Sequence, residues 1–186
     1  MKIEFYTLDA GWIDGQMRVN DIHYYFNYSW ISHFLDDLLK GLLYIDGHLL
    51  DNGYFDTFTA YIEPAIDDWK LTKKGNCLQI EIQSFEDESR KELIEQVVVE
   101  CNYYVFVQSL IDGLVSLLKR IGLYGYYVEW NEEFPLSLLL KLYDIIQPNE
   151  RLNLQTLSLE ETQGRGGSAS DLSIELNLLK DIINDE

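Results

Sequence analysis

The chain has 186 residues, of which 32 are acidic and 14 basic, for a formal charge of −18. Such a surface repels nucleic acid and anionic membrane, so neither is expected as a direct partner. The length suffices for one domain that buries roughly 70% of its unfolded surface, and the hydrophobic fraction of 47% with 13% aromatic residues excludes disorder.

Residues 2–8 read as a strand, and Asp9 to Trp12 supply a turn. Gly15 to Asn27 read as a hairpin turning at Asn20-Asp21, with Met17, Val19, Tyr24 and Phe26 toward the core. Ser29 is the candidate N-cap of a helix over 30–45, in which Ile31, Phe34, Leu35, Leu38, Leu42 and Ile45 recur at helical spacing. Turn formers fill 46–53, after which Phe58, Ala60 and Ile62 alternate with Thr57, Thr59 and Tyr61 as in a half-buried strand. Residues 67–85 give a hairpin across Lys74-Gly75-Asn76, with Leu78, Ile80 and Ile82 on its apolar face. A charged loop over 86–92 leads to a strand over 93–101. A helix over 103–121 follows, ended by Gly122, with Lys119 and Arg120 suiting its C-terminal dipole. A shorter helix starts at Pro135 and stops before Pro148.

These elements predict an α+β fold: an antiparallel sheet with two long helices packed on one face, a short third helix and a C-terminal tail helix. A single domain is expected over 1–148. An extension over 149–186 follows, with a linker-like string at 164–170 and an amphipathic helix at 171–184 carrying Leu172, Leu176, Leu179 and Ile183.

Chemistry-bearing motifs are sparse. Cys77 and Cys101 are too few for a disulfide framework or a zinc site and read as buried small hydrophobes. His33 and Asp37 stand at i and i+4, but one histidine and one carboxylate leave a metal short of ligands, so a solvated helix face is expected. Asp46, Asp51 and Asp56 lie at intervals of five, which does not match an EF-hand calcium loop. Phosphate-loop, nucleophile-elbow and zincin motifs do not occur. No catalytic residue, cofactor or metal is therefore assigned. The N-terminus carries early charges, and no stretch approaches the roughly 20 apolar residues of a membrane span, so the cytoplasm is the expected compartment.

Two segments combine carboxylates with rings beside a proline. In GYYVEWNEEFP, residues 125–135, the adjacent Glu132 and Glu133 would point apart, which disfavours an acid and base pair. A structural role is available: acidic residues upstream of Pro135 suit the positive end of the third helix, while Trp130 and Phe134 close the core. Glu129 has no role in that account. EPAIDDWKL, residues 63–71, repeats the combination with Glu63, Asp67, Asp68 and Trp69. If the segments are neighbours, Glu63, Asp67, Asp68, Trp69, Glu129, Trp130, Glu132 and Glu133 form a partner-binding patch for a basic protein; two unrelated turns are the alternative.

The order Trp12, Gly15, Met17, Val19, Tyr28-Ser29, Leu35, Asp37-Leu38-Leu39, Glu63-Pro64, Trp69, Leu71, Tyr126, Trp130 and Phe134-Pro135 resembles a family of small bacterial proteins. These look like members of the immunity-protein group that accompanies polymorphic toxins, and the resemblance spans about residues 10–147. It implies a cytoplasmic, non-enzymatic inhibitor that occludes a basic toxin or nuclease domain, often with an acidic surface. Two other readings stay open: an enzyme or small-ligand binder with an aromatic pocket using Glu129 or Glu63, and an oligomeric scaffold whose tail helix docks on a neighbour.

Overall fold

The computed structural model describes residues 1–48, 55–147, 152, 155–157 and 167–184. Asp51 of the aspartate series, the end of the third helix's tail at Pro148 and the first part of the linker-like string lie outside the described residues.

The chain is α+β, but its strands form two main sheets where one was expected. Sheet A is the antiparallel meander β1 (Lys2–Asp9), β2 (Trp12–Val19) and β3 (Ile22–Ser29). Its two-residue turns fall at Ala10-Gly11 and at Asn20-Asp21, and Met17, Val19, Tyr24 and Phe26 are buried as the alternation required. Sheet B is the meander β4 (Thr57–Tyr61), β5 (Ile66–Lys74), β6 (Cys77–Phe85) and β7 (Leu93–Asn102). The β5–β6 turn is Gly75-Asn76, where the φ of +58° at Gly75 requires a residue without Cβ crowding. Leu78, Ile80 and Ile82 face the core, whereas Cys77, expected to be buried, sits exposed at the turn. Strand periodicity does not distinguish one sheet from two, because both leave each strand with one apolar face.

Helix α1 (Phe34–Ile45) lies on β4 and β5. It begins later than expected. His33 occupies the N-cap without a side-chain hydrogen bond, while Ser29 ends β3 and is buried, and Ile31 lies outside the helix. The carbonyl of Leu42 near the end of α1 accepts a hydrogen bond from the Tyr103 hydroxyl at 3.0 Å.

Helix α2 (Tyr103–Trp130) starts where the sequence placed it, because the Asn102 side chain accepts hydrogen bonds from the Tyr104 and Val105 amides. Gly122, expected to end it, instead breaks it: its φ is +70° and ψ 170°, and the helix resumes to Trp130. Tyr126 and Trp130 form an i, i+4 pair, both buried, and Tyr126 packs edge-on against Phe134. That burial draws the chain back into a helical path after the glycine. The true end is Asn131, a left-handed cap whose N–H donates to the Tyr127 carbonyl at 2.8 Å.

Helix α2 also covers the outer edge of sheet A. The Ile3 amide donates to Ser109 Oγ at 3.0 Å, and Arg120 donates to the carbonyls of Phe5 and Tyr6. Gly113 permits this approach, since a Cβ there would stand 2.6 Å from the Ile3 carbonyl oxygen.

Helix α3 (Leu136–Ile146) bridges α1 and α2, and α4 (Leu172–Asn184) packs on α2 and α3. The apolar face of α4 differs from the expected one. Leu178 and Ile182 are buried in the common core, whereas Leu172, Leu176 and Ile183 are exposed. Part of the linker-like string, Gly167–Ala169, is strand β9, paired with β8 (Gln155–Leu157).

Replacing Gly113 by alanine forces α2 away from β1. Gly113→Ala is expected to lower unfolding free energy by about 1–3 kcal/mol, read by urea denaturation with an unchanged m-value.

Candidate functional site

The segment at 63–71 divides into an interior half and a surface half. Asp67 on β5 is wholly buried, at 0% exposure. Its Oδ2 accepts hydrogen bonds from the hydroxyls of Tyr24 and Tyr28 on β3, the latter at 2.7 Å, and Trp69 Nε1 donates to the Tyr28 hydroxyl at 2.9 Å. Burial first, reinforced by Asp67, holds both tyrosines far above the ordinary phenol range, so they stay protonated and donate. Trp69 itself stacks on Phe58 and meets Tyr24, Tyr28 and Phe34 edge-on or tilted. Two predicted docking residues, Asp67 and Trp69, therefore act as the joint between sheets A and B.

Asp68 points to the other face of sheet B. Arg90 reaches it with two nitrogens, at 2.5 and 2.8 Å, and Thr59 donates to it at 2.6 Å. Desolvation opposes its ionisation, but the hydrogen bonds from Arg90 and Thr59 outweigh that and keep the carboxyl below its usual range. Glu63 is exposed in a tight turn closed by the Ile62 amide donating to the Ala65 carbonyl at 2.8 Å, with a cis Glu63–Pro64 bond.

The segment at 125–135 is likewise mixed. Trp130 is 1% exposed and Phe134 is buried, as the core-closing reading required. Glu129 has a role that its local sequence did not disclose. Its Oε2 accepts from the Ala10 amide at 3.0 Å, and its carbonyl accepts from the Gly11 amide at 2.9 Å, so it clamps the β1–β2 turn from a distance of more than a hundred residues in sequence. Glu132 lies 2.8 Å from His33 Nδ1, and Glu133 is exposed. The hydrogen bond to Glu132 is the main cause of a raised His33 pKa, against partial desolvation. Asp37 nearby is also pushed up, by burial and then by Asp36. His33 thus pairs with Glu132 and not with Asp37, and among the described residues no cluster has the make-up of a metal site.

What joins the two segments is the connection from β3 to α1, residues that sequence reasoning did not single out. Trp30 is 48% and Ile31 49% exposed. The Trp30 amide donates to the Gly11 carbonyl at 2.8 Å, in the turn that Glu129 holds, and the Trp30 ring covers Gly11 so closely that a Cβ there would lie 2.6 Å from it. Ile31 lines a shallow hollow of about 550 Å³ with Tyr61, Glu63, Pro64, Asp87 and Glu88. His33, two residues on, meets Glu132. The exposed Trp30 and Ile31 are thereby linked to both segments: Ile31 shares a hollow with Glu63, Asp87 and Glu88, Trp30 covers the turn that Glu129 holds, and His33 meets Glu132. The available signal was the placement of Trp30-Ile31 before the first residue of the buried helical stripe, which helical periodicity alone absorbed into the helix.

Glu63 and Glu129 occupy different settings, one in the hollow and one in the turn clamp. Trp30 and Ile31 are thus an exposed apolar pair with carboxylates nearby. No protein-family model, curated protein or solved structure matches the chain.

The two exposed and buried tryptophans should separate in stability. Trp130→Ala is expected to cost about 3–5 kcal/mol, and Trp30→Ala less than about 1 kcal/mol, in paired thermal and urea unfolding. The His33–Glu132 contact has a definite pH sign. A histidine whose folded pKa is raised contributes stability below the unfolded value near 6.5 and loses it as pH rises through the folded value. His33→Gln is therefore expected to destabilise the fold at about pH 5.5 and to leave it unchanged at about pH 9. NMR titration should show the His33 midpoint falling in Glu132→Gln.

Proposed function

We propose that this chain is an acidic protein-binding module, an immunity-type inhibitor that occludes a basic toxin or nuclease domain in the cytoplasm. The observation that carries the reading is the half-exposed pair Trp30 and Ile31 linked to carboxylates from three separate connections of the fold. Aromatic residues at the centre of an interface supply most short-range affinity, because they bury large area at small entropic cost. The rim supplies long-range attraction, since a surface of net charge −18 raises the encounter rate of a cationic domain. No step of this mechanism uses a cofactor, and no side chain is assigned a catalytic part.

The original acidic patch is retained in modified form. Glu63 and Glu132 belong to the rim; Glu133 is exposed; Glu129 holds the turn beneath Trp30; Asp68 is engaged by Arg90; and Asp67, Trp69 and Trp130 support the frame from within.

The test is co-expression with the product of the gene directly upstream. That product is expected to arrest growth alone and to be neutralised by this chain in a stoichiometric complex whose affinity falls with added salt. The triple variant Trp30→Ala, Glu63→Lys, Glu132→Lys should fold and lose neutralisation. An upstream product without toxicity, or full protection by that folded variant, overturns the reading.

A further inference from the structure

Every exposed sheet edge is a row of unpaired amides and carbonyls that a protein must cover or blunt. In this chain the edge of sheet A at β1 is covered by α2, through Ser109 and Arg120. Strand β4, at one edge of sheet B, has only five residues and lies against β3 and α1. Strand β7, at the other edge, is treated differently. It is ten residues long, and no described strand pairs with its outer side. Its sequence, LIEQVVVECN, contains none of the lysine, proline or glycine that commonly guards an edge. Three apolar side chains stand out from it: Leu93 at 52% exposure, Ile94 at 61% and Val98 at 44%.

We propose that β7 is a strand-addition site, and that its occupant is an extended, lysine- or arginine-bearing segment of a partner protein, which pairs as a fifth strand of sheet B. Backbone pairing supplies affinity, and alternate side chains supply selectivity. The charge of the occupant follows from the carboxylates on and beside the strand. Glu95 and Glu100 lie within it, Glu92 precedes it, and Glu81 stands directly across the ladder from Val98. A second copy of this chain is disfavoured, because each copy carries a formal charge of −18 and a paired edge would bring the Glu92, Glu95 and Glu100 carboxylates of two such chains together along one seam.

The site also continues from the docking face. Loop 86–92 connects β6 to β7, and its Asp87 and Glu88 line the hollow at Ile31. A segment added to β7 therefore starts beside that hollow. The sign of the occupant's charge rests on the proposed function, whereas the strand addition rests on the edge itself.

Hydrogen–deuterium exchange of the full chain tests this with three synthetic probes. The first is an eight-residue peptide alternating valine and lysine; the second has glutamate in place of lysine; the third is the lysine peptide with alternate backbone nitrogens methylated. The lysine peptide is expected to slow exchange of the alternate β7 amides that do not bond to β6 by about tenfold, and the other two to leave them unchanged. Val98→Lys should weaken the protection without altering the fold, with Gln96→Lys as a second variant should the first be unstable. Trp30→Ala should leave it intact, which keeps failure of the docking-face reading distinct from failure of this one. Equal binding of the methylated peptide would show attraction without strand pairing and overturn the proposal. Concentration-dependent protection of β7 with a dimeric mass and no peptide would assign the edge to a second copy and overturn it as well.

Discussion

A single carboxylate sealed between two sheets sets the geometry on which the surface depends. Asp67 of β5 accepts from Tyr24 and Tyr28 of β3, and Trp69 reaches back to the Tyr28 hydroxyl. Buried polar groups are stable mainly when partnered, and a buried hydrogen bond typically contributes about 0.5–1.5 kcal/mol net while an orphaned partner costs more. The network therefore fixes the position of sheet B against sheet A along the line from Tyr24 to Tyr28. One oxygen, Asp67 Oδ1, is left without a protein partner, so part of that gain is offset by its desolvation. The consequence at the surface is direct. Tyr28 lies two residues before Trp30, and Asp67 lies three residues after Pro64, so the tyrosine–aspartate contact brings Ile31 beside the Glu63–Pro64 turn.

Helix α2 provides the second constraint. By accepting from the Ile3 amide through Ser109 and donating from Arg120 to the Phe5 carbonyl it makes sheet A and the helix one unit, with Gly113 at the point of closest approach. The break at Gly122 then redirects the last turns so that Tyr126 and Trp130 fill the core while Glu129 reaches the β1–β2 turn. A glutamate that would otherwise be one more surface charge becomes a long-range clamp. Trp30 rests on the turn that this clamp shapes.

Local order was legible where it depends on local chemistry. The hairpins at Asn20-Asp21 and Gly75-Asn76, the start of α2 at Tyr103 and the buried alternation of Leu78, Ile80 and Ile82 follow from turn residues, helical spacing and period-two burial. What escaped depends on contacts distant in sequence. Gly122 has the residue type of a helix stop, and only the packing of Tyr126 and Trp130 beyond it shows that the helix resumes. On α4, Leu172, Leu176 and Ile183 obey helical spacing as well as Leu178 and Ile182 do, and the choice of face is made by α2 and α3. Candidate site residues escaped for the same reason. Trp69 stands among carboxylates in sequence yet is a core residue, and Trp130 fills the core-closing role rather than the docking one, while Trp30 and Ile31, with no acidic neighbour in sequence, acquire Glu63, Glu132 and the Glu129 clamp through folding.

The charge surplus gains its meaning from how the cations are used. Lys2 and Arg18 pair with Glu4, Lys40 with Asp36, Lys73 with Asp46 and Arg90 with Asp68. Apart from Lys73–Asp46, which is largely buried, these pairs are exposed or half-exposed and add little stability, typically 0 to about 1 kcal/mol each, but all of them consume positive charge locally and leave the remaining carboxylates to set the field. A field of that sort acts over about 8–10 Å at moderate salt and carries no shape information. It can gather a cationic partner but cannot choose one. Selectivity must come from features that act at contact, and in the proposed reading two of different kinds would supply it: the exposed apolar pair Trp30 and Ile31, by shape, and the open backbone of β7, by pairing with an extended chain. Loop 86–92 joins the two, since its Asp87 and Glu88 line the hollow at Ile31 and its end leads into β7, so a partner of the proposed kind would meet both along one path.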